Sequence, residues 1–226
     1  MTSYTVRNLA MLLQIASPAL PVGAFAYSQG IERAVEDELI RDAHDARRWI
    51  LDVLAGPMTF WEAPVLLRLH RARVRGDDAT FRTWNERFVA SRETSELRAE
   101  TLQMGASLAV WAHELGLEAG ARLRTLPDLS FTAAFAACAA DRHIDERNGV
   151  CAYLWSWIEN QVTAAIKAVP LGQMAAQRVL LASHAPLAEA VAIATALDDD
   201  EMHSSAPGLA LTCARHEIQY SRLFRS

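Results

Sequence analysis

The sequence predicts an all-α protein: a single globular bundle of about ten helices with a loosely attached C-terminal helix. Apolar residues recur at spacings of three and four along most of the chain. No stretch alternates polar and apolar residues as a half-buried strand does, and no Asn-Gly turn signals a hairpin. Proline, glycine and capping residues fall between the periodic stretches, where helices start and stop. No linker or internal repeat divides the 226 residues, so 1–226 reads as one domain.

The clearest helix lies between Ser95 and Leu117. Leu97, Thr101, Met104, Leu108, Trp111 and Leu115 form one stripe, read as core packing. Gly105 within the stripe predicts a close helix contact. Asp42 caps an earlier helix carrying Trp49, Ile50 and Val53, expected to stop near Gly56-Pro57. Pro64 restarts or kinks the next segment. Gly76-Asp77-Asp78 is a turn with a ready cap, followed by the apolar face of Phe81, Trp84 and Phe88. Residues 130–140 are apolar enough to be buried. Asp145 caps a long helix to about Val169, interrupted by Pro170 and Gly172, and helices near 171–183 and 186–197 follow. Residues 198–208 form an acidic and polar loop that offers little packing. The last helix, roughly 209–221, is therefore expected to hold loosely, and its removal to leave the domain folded.

Composition narrows the function. Hydrophobic residues make up 51% and charged residues 22%, which excludes a mostly disordered chain. A net charge of −5 argues against coating nucleic acid or anionic lipid. No segment is read as reaching the roughly 18 apolar residues of a membrane span. The first residues lack the clustered basic region of a signal peptide, so the expected location is cytoplasmic. Three cysteines without a CxxC pair read as buried thiols.

Enzyme signatures are missing: no G-x-x-x-x-G-K-[ST], no G-x-S-x-G and no H-E-x-x-H. No two of the seven histidines lie three or four residues apart. The expectation is no catalytic residue, no cofactor and no permanent metal site. Any weak metal contact falls on His203 or other exposed histidines.

Four segments carry more than their composition requires. Ser17 to Glu32 holds two prolines and Gly23 between helices, with Ser28 as a ready N-cap; it reads as a structural corner or a surface platform. Glu93 to Leu108 has a mixed polar face, which solvation alone explains. In the third segment Ser156, Asn160, Thr163 and Lys167 form one polar stripe. Lys167 is the one lysine among 22 basic residues, and it either complements the helix dipole or docks a partner. The fourth is the tail. Leu209, Cys213, His216, Tyr220 and Leu223 mark an apolar stripe beside Arg215, Arg222 and Arg225. Tyr220, Arg222, Leu223, Phe224 and Arg225 look like an anchor set for a partner, with self-docking as the alternative.

At these residues the chain resembles the urease accessory protein F (UreF) family. The ordered motifs are S-P-x-L-P-[IV]-G at 17–23, Y-S-x-G-[IL]-E at 27–32, E-L-R-x-E at 96–100, Q-x-G-x-S-L at 103–108, N-Q-V-x-A-A at 160–165, P-L-G-Q at 170–173 and H-E-x-x-Y-S-R-L-F-R-S at 216–226. Family members often have glycine near Ala24 and serine near Ala26. The resemblance implies an all-helical, non-catalytic nickel-insertion chaperone. It implies bridging of a UreD/UreH-type accessory protein and the GTPase UreG, and coupling of GTP hydrolysis to nickel delivery into apo-urease. It also implies a homodimer within that complex. Tyr220, Arg222, Leu223, Phe224 and Arg225 would then face UreD/UreH, and Lys167, Gln173 and Glu32 the GTPase.

Overall fold

The computed structural model describes residues 5–169 and 171–226, and no strand occurs among them. Met1 to Tyr4 and Pro170, and with them the expectations for the extreme N-terminus and for the Pro170 helix break, lie outside the described residues. Twelve α-helices follow one another: α1 Val6–Ile15, α2 Ile31–Glu36, α3 Ala43–Val53, α4 Ala63–Arg75, α5 Asp78–Ala90 and α6 Ser95–Glu114, then α7 Glu118–Leu123, α8 Phe131–Asp141, α9 Glu146–Ala168, α10 Gln173–Ala182, α11 His184–Ala196 and α12 Pro207–His216. Ten of these are ten residues or longer, as expected, and α2 and α7 are six-residue additions.

Helix starts follow the capping chemistry of the sequence. The side chains of Asp42, Asp77, Thr94, Ser130 and Asp145 each accept a backbone N–H at the start of α3, α5, α6, α8 and α9. Ser28 meets its expected role in part: its Oγ accepts the Glu32 N–H at 3.4 Å from two residues before the cap position. The N-cap of α2 is Gly30, with φ at 88°. A side chain there would be strained in that left-handed conformation, and its Cβ would sit 3.1 Å from Cys213 Sγ on α12.

The helix begun at Asp42 also does not stop at Gly56-Pro57. Leu54–Glu62 is a π-type stretch that bends at Gly56 (φ −99°, ψ −111°) and runs on into α4. Proline has no N–H to donate, so the ladder loosens there instead of ending. Thr59 Oγ1 takes up the carbonyl of Leu54 at 2.6 Å.

The core is built around α8, whose residues Thr132 to Ala140 are all buried. It packs against α4 and α6. Its alanines let those helices approach closely, and the rings of Phe131, Phe135 and Tyr153 interlock over them. Gly105 makes a close contact, with the chain entering α8 and not with a helix body: a Cβ there would lie 2.2 Å from the Leu129 carbonyl. The α6 stripe is core from Leu97 to Leu108. It surfaces at Trp111, which is half-buried, and at Leu115, which is 53% exposed.

Averaged hydropathy marks two helical stretches, Ala43–Arg75 and Gln173–Ala196, as long and apolar enough to cross a membrane. The expectation that no segment reaches that length does not hold for these two. The first is bent at Gly56 and buries Val65, Leu66, Leu67 and Leu69 in the core; the second leaves Met174 and Leu181 on the surface.

The burial pattern sets an order of stabilities. Leu108→Ala should cost about 2–5 kcal/mol, as buried leucine truncations do. Trp111→Ala should cost less than Leu108→Ala despite its larger side chain, because the indole is half solvated. Urea unfolding midpoints of both variants check this order.

Candidate functional site

The four segments singled out in the sequence meet in one place, around the C-terminal tail. After α12 ends at His216 the chain leaves the helix, so the helical stripe does not continue to Tyr220 and Leu223. Tyr220 is wholly exposed and Leu223 is 73% exposed, whereas Phe224 is buried at 6%.

Backbone groups hold this tail on the Ser17–Glu32 segment. The N–H groups of Ser28 and Gln29 donate to the Ser226 carbonyl at 2.7 and 3.1 Å, and Ser28 Oγ donates to it at 2.6 Å. Arg225 N–H donates to the Ala26 carbonyl at 2.8 Å. That last contact uses main-chain atoms, so alanine in place of the family's serine leaves it intact.

Glu32 is the centre of the arrangement. Its carboxylate accepts the N–H of Leu223 at 2.6 Å and of Phe224 at 2.9 Å. His216 Nε2 lies 3.2 Å from the same carboxylate, and His216 Nδ1 lies 2.7 Å from Glu96 on α6. Arg222 also donates to Glu96. Glu217 accepts Ser95 Oγ and the backbone N–H groups of Ser95 and Glu96, capping the start of α6. Those bonds hold its carboxyl below the usual range, the Ser95 hydroxyl contributing most.

One turn further along α6, Glu100 accepts Gln29 Nε2 at 2.6 Å and Ser226 Oγ at 2.8 Å. Burial pushes its acid up to about 7, against those two hydrogen bonds. Gln103, a turn beyond Glu100, accepts the Tyr27 hydroxyl at 2.8 Å. The α9 stripe closes the far side. Trp157 Nε1 donates to Gln29 at 2.7 Å, and Asn160 donates to the Tyr27 carbonyl at 3.2 Å. Lys167 Nζ stands 5.8 Å from the Phe25 ring centre and 5.5 Å from that of Phe224.

Behind the tail, a cavity of about 110 Å³ lies between the 15–29 segment, α6 and α9. Its polar wall carries a buried pair, Arg92 donating to Glu62 at 2.7 Å, with the Tyr153 hydroxyl donating to Glu62 at 2.8 Å. Burial raises the Tyr153 phenol well above its usual range. The thiols of Cys138 and Cys213 are pushed up to about 12 by burial, which keeps them protonated and unreactive. His70 is buried, and its Nε2 lies 2.9 Å from the Ile144 carbonyl; burial lowers its basicity. His203 is exposed and stacks on Phe60 with ring centres 4.9 Å apart. Asp42, His44 and Asp45 cluster at the start of α3, but Asp45 pairs with Arg41 and Arg48, and Asp42 caps the helix.

The expected site residues are thus distributed differently from the two separate faces the sequence suggested. Glu32, expected to face the GTPase, is 7% exposed and binds the tail. Lys167 is on the surface as expected, but beside Phe224. Gln173 is exposed at the start of α10. The tail itself is self-docked, which makes α12 firmly held and not loose. Ser28, Gln29, Glu96 and Glu100 are the residues the sequence reading missed. The spacing of Glu96, Glu100 and Gln103 by four and three was the available signal for a continuous polar face on α6.

This all-α architecture, with its tail-centred polar cluster and the motif set that builds it, defines an all-helical domain whose C-terminal tail is docked on its own surface. The UreF family profile matches residues 40–184. The chain is 52% identical over 223 residues to a urease accessory protein UreF from Azoarcus sp. (strain BH72), covering 96% of this chain and 95% of that one. It is 45% identical over 221 residues to the urease accessory protein UreF of Janthinobacterium sp. (strain Marseille), covering 96% and 98%. The corresponding protein of Nitrosospira multiformis is 47% identical over 224 residues, covering 97% and 98%. The chain belongs to the UreF family.

Self-docking reverses the expectation for truncation. Deleting Tyr220 to Ser226 removes donors from two buried carboxylates, Glu32 and Glu100. At ~1–3 kcal/mol for each unmatched buried group, the domain should lose about 2 kcal/mol or more. A clear drop in the thermal midpoint is the expected result of calorimetry.

Proposed function

We propose that this chain is a urease accessory protein that acts as a non-catalytic adaptor in the cytoplasm. In this reading it bridges a UreD/UreH-type accessory protein and a UreG-type GTPase. It couples GTP hydrolysis to nickel delivery into apo-urease, and it works as a homodimer within the assembly. One observation supports this above the others: the four motif segments converge on a single surface built from backbone clamps, aromatic rings and arginines. Such a surface suits protein docking better than bond chemistry.

The convergence also refines which residues meet which partner. Tyr220 and Leu223 present their side chains outward from an ordered backbone, so they are the anchors for the UreD/UreH-type protein. Arg225 lies beside them, its guanidinium 3.3 Å from Gln103. Phe224 and Arg222 engage the partner as well, after leaving or sharing their contacts within the chain. On the GTPase side, Lys167 and Gln173 offer exposed polar groups. Glu32 contributes there by holding the tail in place.

Co-expression with the two proposed partners tests this. Tyr220→Ala with Leu223→Ala should leave the thermal midpoint nearly unchanged, because both side chains are solvated. The pair should weaken the complex by roughly 2 kcal/mol or more if they are hot-spot anchors. Lys167→Ala should leave folding intact and lower GTP-dependent urease activation. Full-yield co-elution of the double variant, or unchanged activation by Lys167→Ala, contradicts the respective assignment.

A further inference from the structure

We propose that Lys167 is a positioning residue for the tail: its ammonium clamps the Phe224 ring beside Phe25, and so fixes the backbone that turns Tyr220 and Leu223 outward.

Three separate segments meet at this side chain. Phe25 lies on the single 3-10 turn Ala24–Ala26 between α1 and α2, Phe224 lies on the tail, and Lys167 stands in the last turn of α9. Lys167 Nζ is 5.8 Å from the Phe25 ring centre, 5.5 Å from that of Phe224, and donates to the Phe25 carbonyl at 3.4 Å. The face of an aromatic ring carries negative potential and attracts a cation within about 6 Å of its centre. One ammonium therefore serves both rings, and the carbonyl holds it between them.

The main chain prepares the two rings for a shared cation. Arg225 N–H donates to the Ala26 carbonyl. Phe224 and Phe25 are the residues just before that donor and that acceptor, one on each segment. The bond draws the two segments together, and Lys167 spans them from a third element.

The tail depends on this ring more than on its other side chains. From Glu217 to Arg225, Phe224 alone is buried. It is 6% exposed, against 66% for Phe25. Its neighbours are held by backbone groups, namely the amides of Leu223 and Phe224 on Glu32 and the amide of Arg225 on Ala26. Those bonds fix the path of the chain but not the rotation of the ring. A cation over the ring face, with the apolar stem of the lysine beneath it, closes that side against solvent.

Two simpler roles for Lys167 lead to different behaviour. A cation in the last turn of a helix is favoured by the helix dipole whatever lies beside it. That role acts on α9 and is indifferent to Phe224. A solvated surface lysine acts on neither. The clamp alone couples Lys167 to Phe224, so that the effect of the charge disappears with the ring. The clamp stands on these contacts; the use of an ordered tail in presenting Tyr220 and Leu223 to an accessory partner rests on the function proposed above.

Hydrogen exchange of the intact chain at a single pH tests the clamp. The amides of Leu223, Phe224 and Arg225 report the tail, those in the last turn of α9 report the dipole, and α8 is the reference. Lys167→Met keeps an apolar stem and removes the charge. It should lower tail protection about two- to fivefold, the size of a surface cation–π contact, and leave α8 unchanged. Lys167→Arg should keep the wild-type protection. In a Phe224→Leu background, Lys167→Met should have no measurable effect on the tail. Unchanged tail protection in Lys167→Met, or an equal loss with and without the Phe224 ring, overturns the proposal.

Should Phe224→Leu release the tail by itself, chemical neutralisation decides, because Lys167 is the single lysine. Acetylation of the wild-type chain with N-hydroxysuccinimidyl acetate removes that charge without a substitution, and acetylated Lys167→Arg controls for the terminal amine. Loss of protection in the tail with the last turn of α9 steady supports the clamp. Loss confined to α9, or equal loss in the control, overturns it.

Discussion

The carboxylate of Glu32 ties the two ends of the sequence together. It sits on a six-residue helix that starts from a glycine in the left-handed conformation, and it accepts two amides and faces an imidazole from residues 184 to 192 positions away. A helix that short contributes little stability of its own. Its position is set by what it grips. Once α2 is fixed, Ser28 and Gln29 are aimed at Ser226, Gln29 reaches Glu100 and Trp157, and the polar faces of α6 and α9 acquire partners. Remove the carboxylate and the donors of the tail lose their acceptor while the imidazole loses one of its two carboxylate neighbours.

Such a cluster is costly to build and specific once built. Ionised groups in a dry site are expensive unless every lone pair and proton is matched. Here the matching spans α2, α6, α9, α12 and the tail, so a shifted register in any one of them leaves a buried group unpaired. The apolar core around α8 supplies the bulk of the stability, and the polar cluster selects the path of the last ten residues. The exposed Tyr220 and Leu223 accompany this path: the tail is clamped largely through its backbone, which leaves these two side chains turned outward.

How much of this was legible in the sequence follows from which interactions are local. The caps at Asp42, Asp77, Thr94, Ser130 and Asp145 were readable because a cap bonds two or three residues along the chain. The burial of residues 130–140 and the close contact at Gly105 were readable from composition. The bend at Gly56-Pro57 was read as a stop, because proline removes a donor in either case and tertiary packing decides whether the helix resumes. Ser28 was read as a cap, and its Oγ does accept the Glu32 N–H; its donation to the carbonyl of Ser226, 198 residues away, was not legible. Glu96 and Glu100 were read as solvated because their partners are distant in sequence. The tail was recognised as an anchor set, yet its docking within the chain depends on geometry that no local pattern encodes.

The measurement that bears most directly on this account is a double-mutant cycle between Glu32 and His216, read by urea unfolding of Glu32→Ala, His216→Ala and the double variant. Direct contact within a shared network predicts a coupling of about 1 kcal/mol or more, the double variant losing less than the two single losses together. Additive losses, within about 0.3–0.5 kcal/mol, would show that the two side chains act independently and that the tail is held by something else.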